Sequence, residues 1–271
     1  MEAKQLSSIP ETMLITLWAK ATETSSYGGL IHDEVAKDII ESIDYDFSKF
    51  KGGKLSQIGC CVRAALIDNE VRSFLARYSD AVVVQLGAGL DGRYQRLGCP
   101  EVSHWFDLDL KEVIDIRRQL IPETDRNTYL ELSMFDYQWI DIVKSYGKPV
   151  LILVEGVLMY FDSAQVKAFF QTVCDRFDAA TLVFDMLAYF ALKHTKHHDT
   201  IGKMSSSVSF LWSELDTRTM EAWHPKLHID RELCLSDHDQ GRFPLALRLM
   251  CYIPYFYKRF NQRVVKVDIW Q

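Results

Sequence analysis

Residues Ala81 to Leu86 form a short apolar run rich in valine that ends in Gly87-Ala88-Gly89. Such a run suits a strand buried on both faces of a parallel sheet. Similar runs recur at His104–Leu108, Thr128–Leu132, Val150–Glu155 and Thr181–Asp185. Helical patterns lie between them. Leu110, Val113, Ile114 and Arg117 share a face before a stop at Pro122, and Val166, Phe169, Phe170, Val173 and Phe177 form a stripe that Ser163 is placed to cap. Strands alternating with helices predict an α/β fold with a mostly parallel sheet.

The flanks differ from this core. Leu14, Leu17, Trp18 and Ala21 share one helical face, as do Ile31, Val35, Ile39 and Ile43, with a turn at Ser25–Gly29 between them. A further helix fits Val71, Phe74, Leu75 and Tyr78, with Asp68 as its N-cap. Beyond Met186 the alternation stops, and Ala188–Ser236 is rich in aromatic, His and Ser residues, as an inserted lid would be. Arg263–Ile269 alternates and reads as a closing strand. The expectation is a single domain over 1–271: a helical cover (1–80), a cofactor-binding core (81–187), a lid or substrate cover (188–245), and a closing helix and strand (246–271).

Charge and composition narrow the classes of function. With 31 Lys and Arg against 37 Asp and Glu, the formal net charge is -6, which lacks the footprint of a nucleic-acid binder. The six cysteines form no C-x-x-C pair and no zinc spacing with His, so no metal is expected and a reducing, cytoplasmic compartment fits. No apolar run supplies the roughly 20 residues of a membrane span, and Met1–Pro10 carries no signal-peptide stretch.

Three sites carry chemistry. Gly87-Ala88-Gly89-Leu90-Asp91-Gly92 follows the first strand, where glycines let backbone amides approach a polar ligand at the carboxyl edge of the sheet. The string also fits a tight strand-to-helix turn. Asp109 lies twenty residues after Gly89, at the end of Phe106-Asp107-Leu108-Asp109, a spacing that suits a carboxylate accepting from both hydroxyls of an adenosine ribose. A solvated helix cap is the alternative, more so for Asp107. Glu155 ends a later strand, where a carboxylate suits the ammonium or sulfonium end of a methionine group. The first two sites imply an adenosine-containing cofactor without separating a dinucleotide from S-adenosylmethionine.

Taken together, Leu17-Trp18-Ala19-Lys20-Ala21, Arg63-Ala64-Ala65, the glycine strand through Asp91, Asp107-Leu108-Asp109 and Glu155-Gly156-Val157-Leu158-Met159-Tyr160 resemble the leucine carboxyl methyltransferase family over residues 10 to 190. The resemblance is strongest to its bacterial branch, similar to the tetracenomycin polyketide carboxyl/O-methyltransferase. It implies an S-adenosylmethionine-dependent O-methyltransferase with a Rossmann-like, seven-stranded, mostly parallel sheet, N-terminal helices and an inserted lid. On it, Arg63 looks like the arginine that grips the cofactor carboxylate, Gly87 and Gly89 line the methionine and ribose, Asp109 takes the ribose, Glu131 and Leu132 fall at the adenine end, and Glu155 matches an acidic cofactor contact. Two departures stand out. Asp91-Gly92-Arg93 replaces the usual Asp-Thr-Arg, with Gly92 keeping the backbone accessible, and Glu131 stands where Asp is commoner.

Arg63 also has a physical reading, since a guanidinium binds a carboxylate with two parallel hydrogen bonds, although a surface arginine in a helix would look the same. Lys20 is either a lid contact or part of a solvated face. Tyr27, Tyr160, Tyr189, Trp212 and Trp223 are candidates for an aromatic substrate pocket, against the commoner role of core packing. His194, His197 and His198 lack a completing ligand and read as solvated lid. The leading expectation is methyl transfer to a carboxylate of a small organic acid or polyketide-like molecule. The rivals are an NAD(P)-dependent oxidoreductase and a cofactor-binding protein without catalysis. A small-molecule acceptor is the expected partner, with no nucleic acid and no membrane, and a protein acceptor is left open.

Overall fold

The computed structural model describes residues 11–193 and 209–271. Helices α1 (Glu11–Thr24), α2 (Glu34–Ser42) and α3 (Lys54–Arg77) precede β1 (Val82–Leu86). The core then alternates: a short α4 (Arg93–Arg96), β2 (His104–Asp109), α5 (Lys111–Leu120), β3 (Asn127–Glu131), α6 (Gln138–Lys144), β4 (Val150–Val154), α7 (Ser163–Arg176) and β5 (Ala180–Met186). After the lid segment come β6 (Leu227–Cys234), the short helices α8 (Leu245–Cys251) and α9 (Pro254–Phe260), and β7 (Arg263–Ile269).

The seven strands form one sheet in the order β3-β2-β1-β4-β5-β7-β6. β1 to β5 pair in parallel, and β7 runs antiparallel between β5 and β6. The order reverses between β1 and β4, so the chain opens a crevice at the carboxyl ends of those two strands.

Side chains alternate across each strand and thereby build two cores from one sheet. Val82, Val84, Ile152, Val154, Leu182 and Phe184 face α6 and α7, where Trp139, Phe169 and Phe170 are fully buried. Val83, Leu151, Leu153 and Val183 face α3 through Val62, Ile67 and Val71. A third cluster joins α1, α2 and α5 through Leu14, Leu17, Ile39, Leu90 and Ile116. That cluster seats the N-terminal helices over the crevice.

Four local expectations change. Helix α3 runs unbroken from Lys54 to Arg77, so Asp68 is a buried mid-helix residue and not an N-cap. It receives Arg93 Nε and Arg96 Nε, each at 2.8 Å. Helix α7 is capped by Asp162, whose carboxylate accepts from Gln165 N while the Gln165 side chain accepts from Asp162 N, and Ser163 is the first helical residue. Because α3 packs on the sheet, 1–80 is more than a cover. Within 188–245, β6 belongs to the sheet, because its backbone is completed by β7 across a bulge between Ile229 and Arg231. His194, His197 and His198 lie outside the described residues, as does Met1–Pro10. Among the described residues no helix is long and apolar enough to cross a membrane, and no three His, Cys, Asp or Glu side chains are grouped to hold a metal ion.

Candidate functional site

A cavity of about 850 Å³ occupies the crevice above β1, β2 and β4 and extends over β5 and β7. Arg63, Gly87, Gly89, Asp109, Leu132 and Glu155 line it, with Lys20 and Tyr160. The parallel strands explain the gathering. Gly87, Asp109, Glu155 and Asp185 all lie at strand carboxyl ends, hence at one edge. Antiparallel β7 brings its opposite end there, with Arg263 beside Met186.

Gly87 and Gly89 take positive φ values of 68° and 52°, which L side chains rarely adopt. The room their missing Cβ atoms leave is filled by the protein: a Cβ on Gly87 would overlap Val157, and one on Gly89 would lie 2.9 Å from Met13 Sδ. Gly92 is a sharper correction. It does not open the loop to a ligand, because a Cβ there would come within 2.7 Å of Val35 Cβ on α2. The glycine that replaces the usual threonine is where α2 rests.

Asp109 accepts Gly89 N on Oδ2 at 2.7 Å and Leu110 N on Oδ1 at 2.8 Å. Burial raises its pKa, against the lowering pull of those two amides. Each oxygen keeps a further lone pair toward the cavity. Asp107, two residues earlier on the same face of β2, lies deeper in the sheet and is not solvated. It accepts from Arg117 Nη2 at 2.7 Å, Asn127 Nδ2 at 2.9 Å and Trp105 Nε1 at 3.0 Å. Arg117 in turn donates to the carbonyls of Gly89 and Asp91, each at 2.9 Å, and so ties the glycine loop to α5.

Arg63 is buried on α3. Its Nε donates to Glu155 Oε1 at 3.0 Å and its Nη1 to Asp185 Oδ2 at 3.1 Å, while Nη2 donates to none of the described residues. Glu155 also pairs with Arg93 Nη2. Burial pushes the Glu155 carboxyl up, but Arg93 and Arg63 outweigh it and hold it down at about 2. A carboxylate already shared by two arginines offers little net charge to a sulfonium, so its placement of Arg63 matters more. Lys20 is no solvated lysine: it is 4% exposed and its Nζ donates to Asp91 Oδ1 at 2.6 Å. Asp91 lies well below the usual range because Lys20, Arg96 and Arg93 together overcome its burial.

Several candidates are placed elsewhere. Glu131 sits on the surface, paired with Arg118 and Lys111, and only its neighbour Leu132 reaches the cavity. Tyr27 is fully exposed in the Ser25–Gly29 turn, outside the cavity. Tyr189 is partly exposed, while Trp212 and Trp223 pack in the sheet core. The aromatic wall is made instead by Tyr160, Phe190, Phe210 and Phe260. Tyr160 pairs with Thr12, and burial raises its pKa, so the phenol stays protonated.

Sequence reasoning missed Asp185, Gln262, Cys60 and Met13. Asp185 had a signal, a lone carboxylate near the end of an apolar strand, as at Asp109 and Glu155. Gln262 had none, since only antiparallel pairing brings the start of β7 to this edge.

The family model for leucine carboxyl methyltransferase matches residues 13–174. The tetracenomycin polyketide synthesis O-methyltransferase TcmP of Streptomyces glaucescens is 28% identical over 236 residues, covering 87% of this chain and 86% of its own. An S-adenosyl-L-methionine-dependent methyltransferase, dpfgK, of Gibberella zeae is 27% identical over 258 residues, covering 88% of this chain and 85% of its own. In fold, a DUF574 family protein from Streptomyces avermitilis superposes with a TM-score of 0.61 at 11% identity, over 98% of this chain and 100% of that one.

Proposed function

This chain belongs to the leucine carboxyl methyltransferase family and is an S-adenosylmethionine-dependent methyltransferase, and we propose that its acceptor is a carboxylate on a small organic acid or polyketide-like molecule. The nicotinamide reading of the glycine string is not favoured. The observation that carries the proposal is the absence of a base among the described residues lining the cavity. None of the described histidines lines it. Of the lining carboxylates, Asp91 and Glu155 are each ion-paired to Lys or Arg, and Asp109 is held by the Gly89 and Leu110 amides at the end of β2, away from the apolar wall. A carboxylate acceptor is ionised at neutral pH and needs no base, whereas a phenol, with a pKa near 10, does.

The cavity residues fit the cofactor. Arg63 Nη2, which donates to none of the described residues, can meet its carboxylate, Asp109 has one lone pair per oxygen for the ribose diol, and Leu132, Ser133 and Met134 offer a wall for adenine. When bound, the cofactor supplies an electrophilic methyl group on a sulfonium. The protein's part is placement and water exclusion. Met159, Leu187, Phe190, Phe210 and Phe260 form an apolar wall on the methionine side, and the Tyr160 phenol is a polar donor there. The polyketide named for the Streptomyces glaucescens relative suits the same aromatic lining.

Transfer of labelled methyl to a panel of aromatic carboxylic acids tests the proposal. The product should release volatile label on mild alkaline hydrolysis, as a methyl ester does. The single-turnover rate should stay level between about pH 6 and 9. A base-stable product, or a rate rising steeply over that window, would replace the carboxylate with a phenol.

A further inference from the structure

We infer that the acceptor carries a hydroxyl or similar hydrogen-bond donor, which the side-chain carbonyl of Gln262 accepts in the space that Gly59 leaves open. The inference rests on the preceding reading only for the presence of an acceptor in this part of the cavity.

The orientation of the Gln262 amide is fixed by its neighbours. Asp185 Oδ1 accepts Gly156 N at 2.6 Å, and Oδ2 accepts Arg63 Nη1 at 3.1 Å. Gln262 meets the same Oδ2 at 2.9 Å. A carboxylate ion-paired to arginine only accepts, so the amide must present its NH2 there, and Oε1 turns away. That oxygen accepts no hydrogen bond from the described residues. It faces Gly59, where a Cβ would lie 3.8 Å from it. An amide oxygen lining the same cavity as Phe190, Phe210 and Phe260, with no donor among the described residues, is satisfied well by a ligand that donates.

Gly59 supports the same conclusion. It lies inside the 24-residue helix α3, where glycine is a poor helix former. Neither strain nor crowding requires it, since its φ is not positive and the nearest atom to a Cβ is at ordinary contact distance. What glycine provides is room in the cavity. Location completes the case. Asp109 on β2 lies toward one end of the sheet, while Gln262 and Asp185 lie past β4 toward the other, on the far side of Arg63. A ligand group reaching Gln262 is therefore not the nucleoside, and the acceptor is the ligand we assign to it.

The test uses 2-naphthoic acid and its 1-hydroxy, 3-hydroxy and 6-hydroxy derivatives, titrated calorimetrically into enzyme loaded with S-adenosylhomocysteine. At least one hydroxy acid should bind the wild type about tenfold more tightly than the parent, within the range for a hydrogen bond to a group otherwise left unsatisfied. The preference should shrink to about twofold or less in Gln262→Met, which removes the carbonyl, and in Gly59→Val, which covers it without touching Asp185. If Gln262→Met fails to fold, Gly59→Val carries the comparison. The idea is overturned if no probe binds, if no hydroxy acid is preferred, or if the preference survives either folded variant. A hydroxy preference together with a base-stable methyl product would remove the carboxylate reading and leave the role of Gln262 intact. A methyl ester formed without any preference would do the reverse.

Discussion

Asp109 shows how a single carboxylate is committed before any ligand arrives. Both of its oxygens already accept a backbone N–H, from Gly89 and from Leu110. Asn is therefore not a mild replacement, because its NH2 must face one of those two donors. Asp109→Asn should weaken S-adenosylhomocysteine and adenosine alike, by about 1.5–3 kcal/mol, the range for hydrogen bonds to a charged group. Binding of 2′-deoxyadenosine, which offers one hydroxyl fewer, should fall less. Calorimetry on the three ligands checks this, and an equal loss for all three would remove Asp109 from the ribose. Arg63 differs in kind, since two of its three nitrogens hold Glu155 and Asp185, and only the third meets no acceptor among the described residues.

Between elements, the decisive contact is that of α2 with the glycine loop. Gly92 has an ordinary φ of -84°, so its identity is set by Val35 packed against it and not by the backbone. Gly92→Ala should destabilise the protein by about 1–3 kcal/mol, the usual cost of overpacking. Val35→Gly, which removes the Cβ that the new methyl would meet at 2.7 Å, should relieve most of that cost when combined with it. Thermal melts of the two single variants and the double variant decide the matter, and additive losses would mean that the two residues do not meet. The same junction carries charge. Asp33, the N-cap of α2, accepts Arg96 Nη1 at 2.5 Å, and that nitrogen also donates to Asp91 at 2.9 Å. Helices α1 and α2 are thereby fastened to the loop by Lys20, Arg96 and Val35 together. The Ser25–Gly29 turn plays no part in lining the cavity, which α1 itself lines through Thr12, Met13 and Thr16.

Over the whole molecule, the buried ion pairs set the response to acid. Asp68, Asp91 and Glu155 all have folded pKa values below their ordinary ones, because neighbouring Arg and Lys side chains outweigh burial. A lowered carboxylate pKa contributes stability that is fully present above the unfolded value and is lost as the folded group is protonated. For Glu155 that window runs from 4.5 down to about 2. The melting temperature should be nearly level from pH 7 to about 5 and fall below that. Glu155→Gln should melt well below the wild type at pH 7, where it leaves Arg63 and Arg93 short of a counter-charge. The two curves should converge toward pH 2, and a constant gap across the range would show that Glu155 acts through shape alone.

What the sequence determined by itself was local and periodic. Valine-rich runs gave β1 and β4, helical stripes gave α1, α5 and α7, and the residues at strand ends gave Gly87, Asp109 and Glu155 as neighbours, because parallel strands with buried faces place their carboxyl ends together. The family resemblance added Arg63, which helix periodicity cannot distinguish from a surface arginine. Tertiary structure alone decided the rest. It turned Lys20 and Asp68 from candidate surface or cap residues into buried ion-pair partners, because charge burial depends on which counter-charge another element brings. It left Glu131, Tyr27 and Trp212 outside the cavity, since an aromatic or acidic residue carries no mark of the direction it faces. It also brought Gln262 to Asp185, across 77 residues of chain. Only the antiparallel entry of β7 reverses the strand's direction, so that its start, and not its end, meets the site.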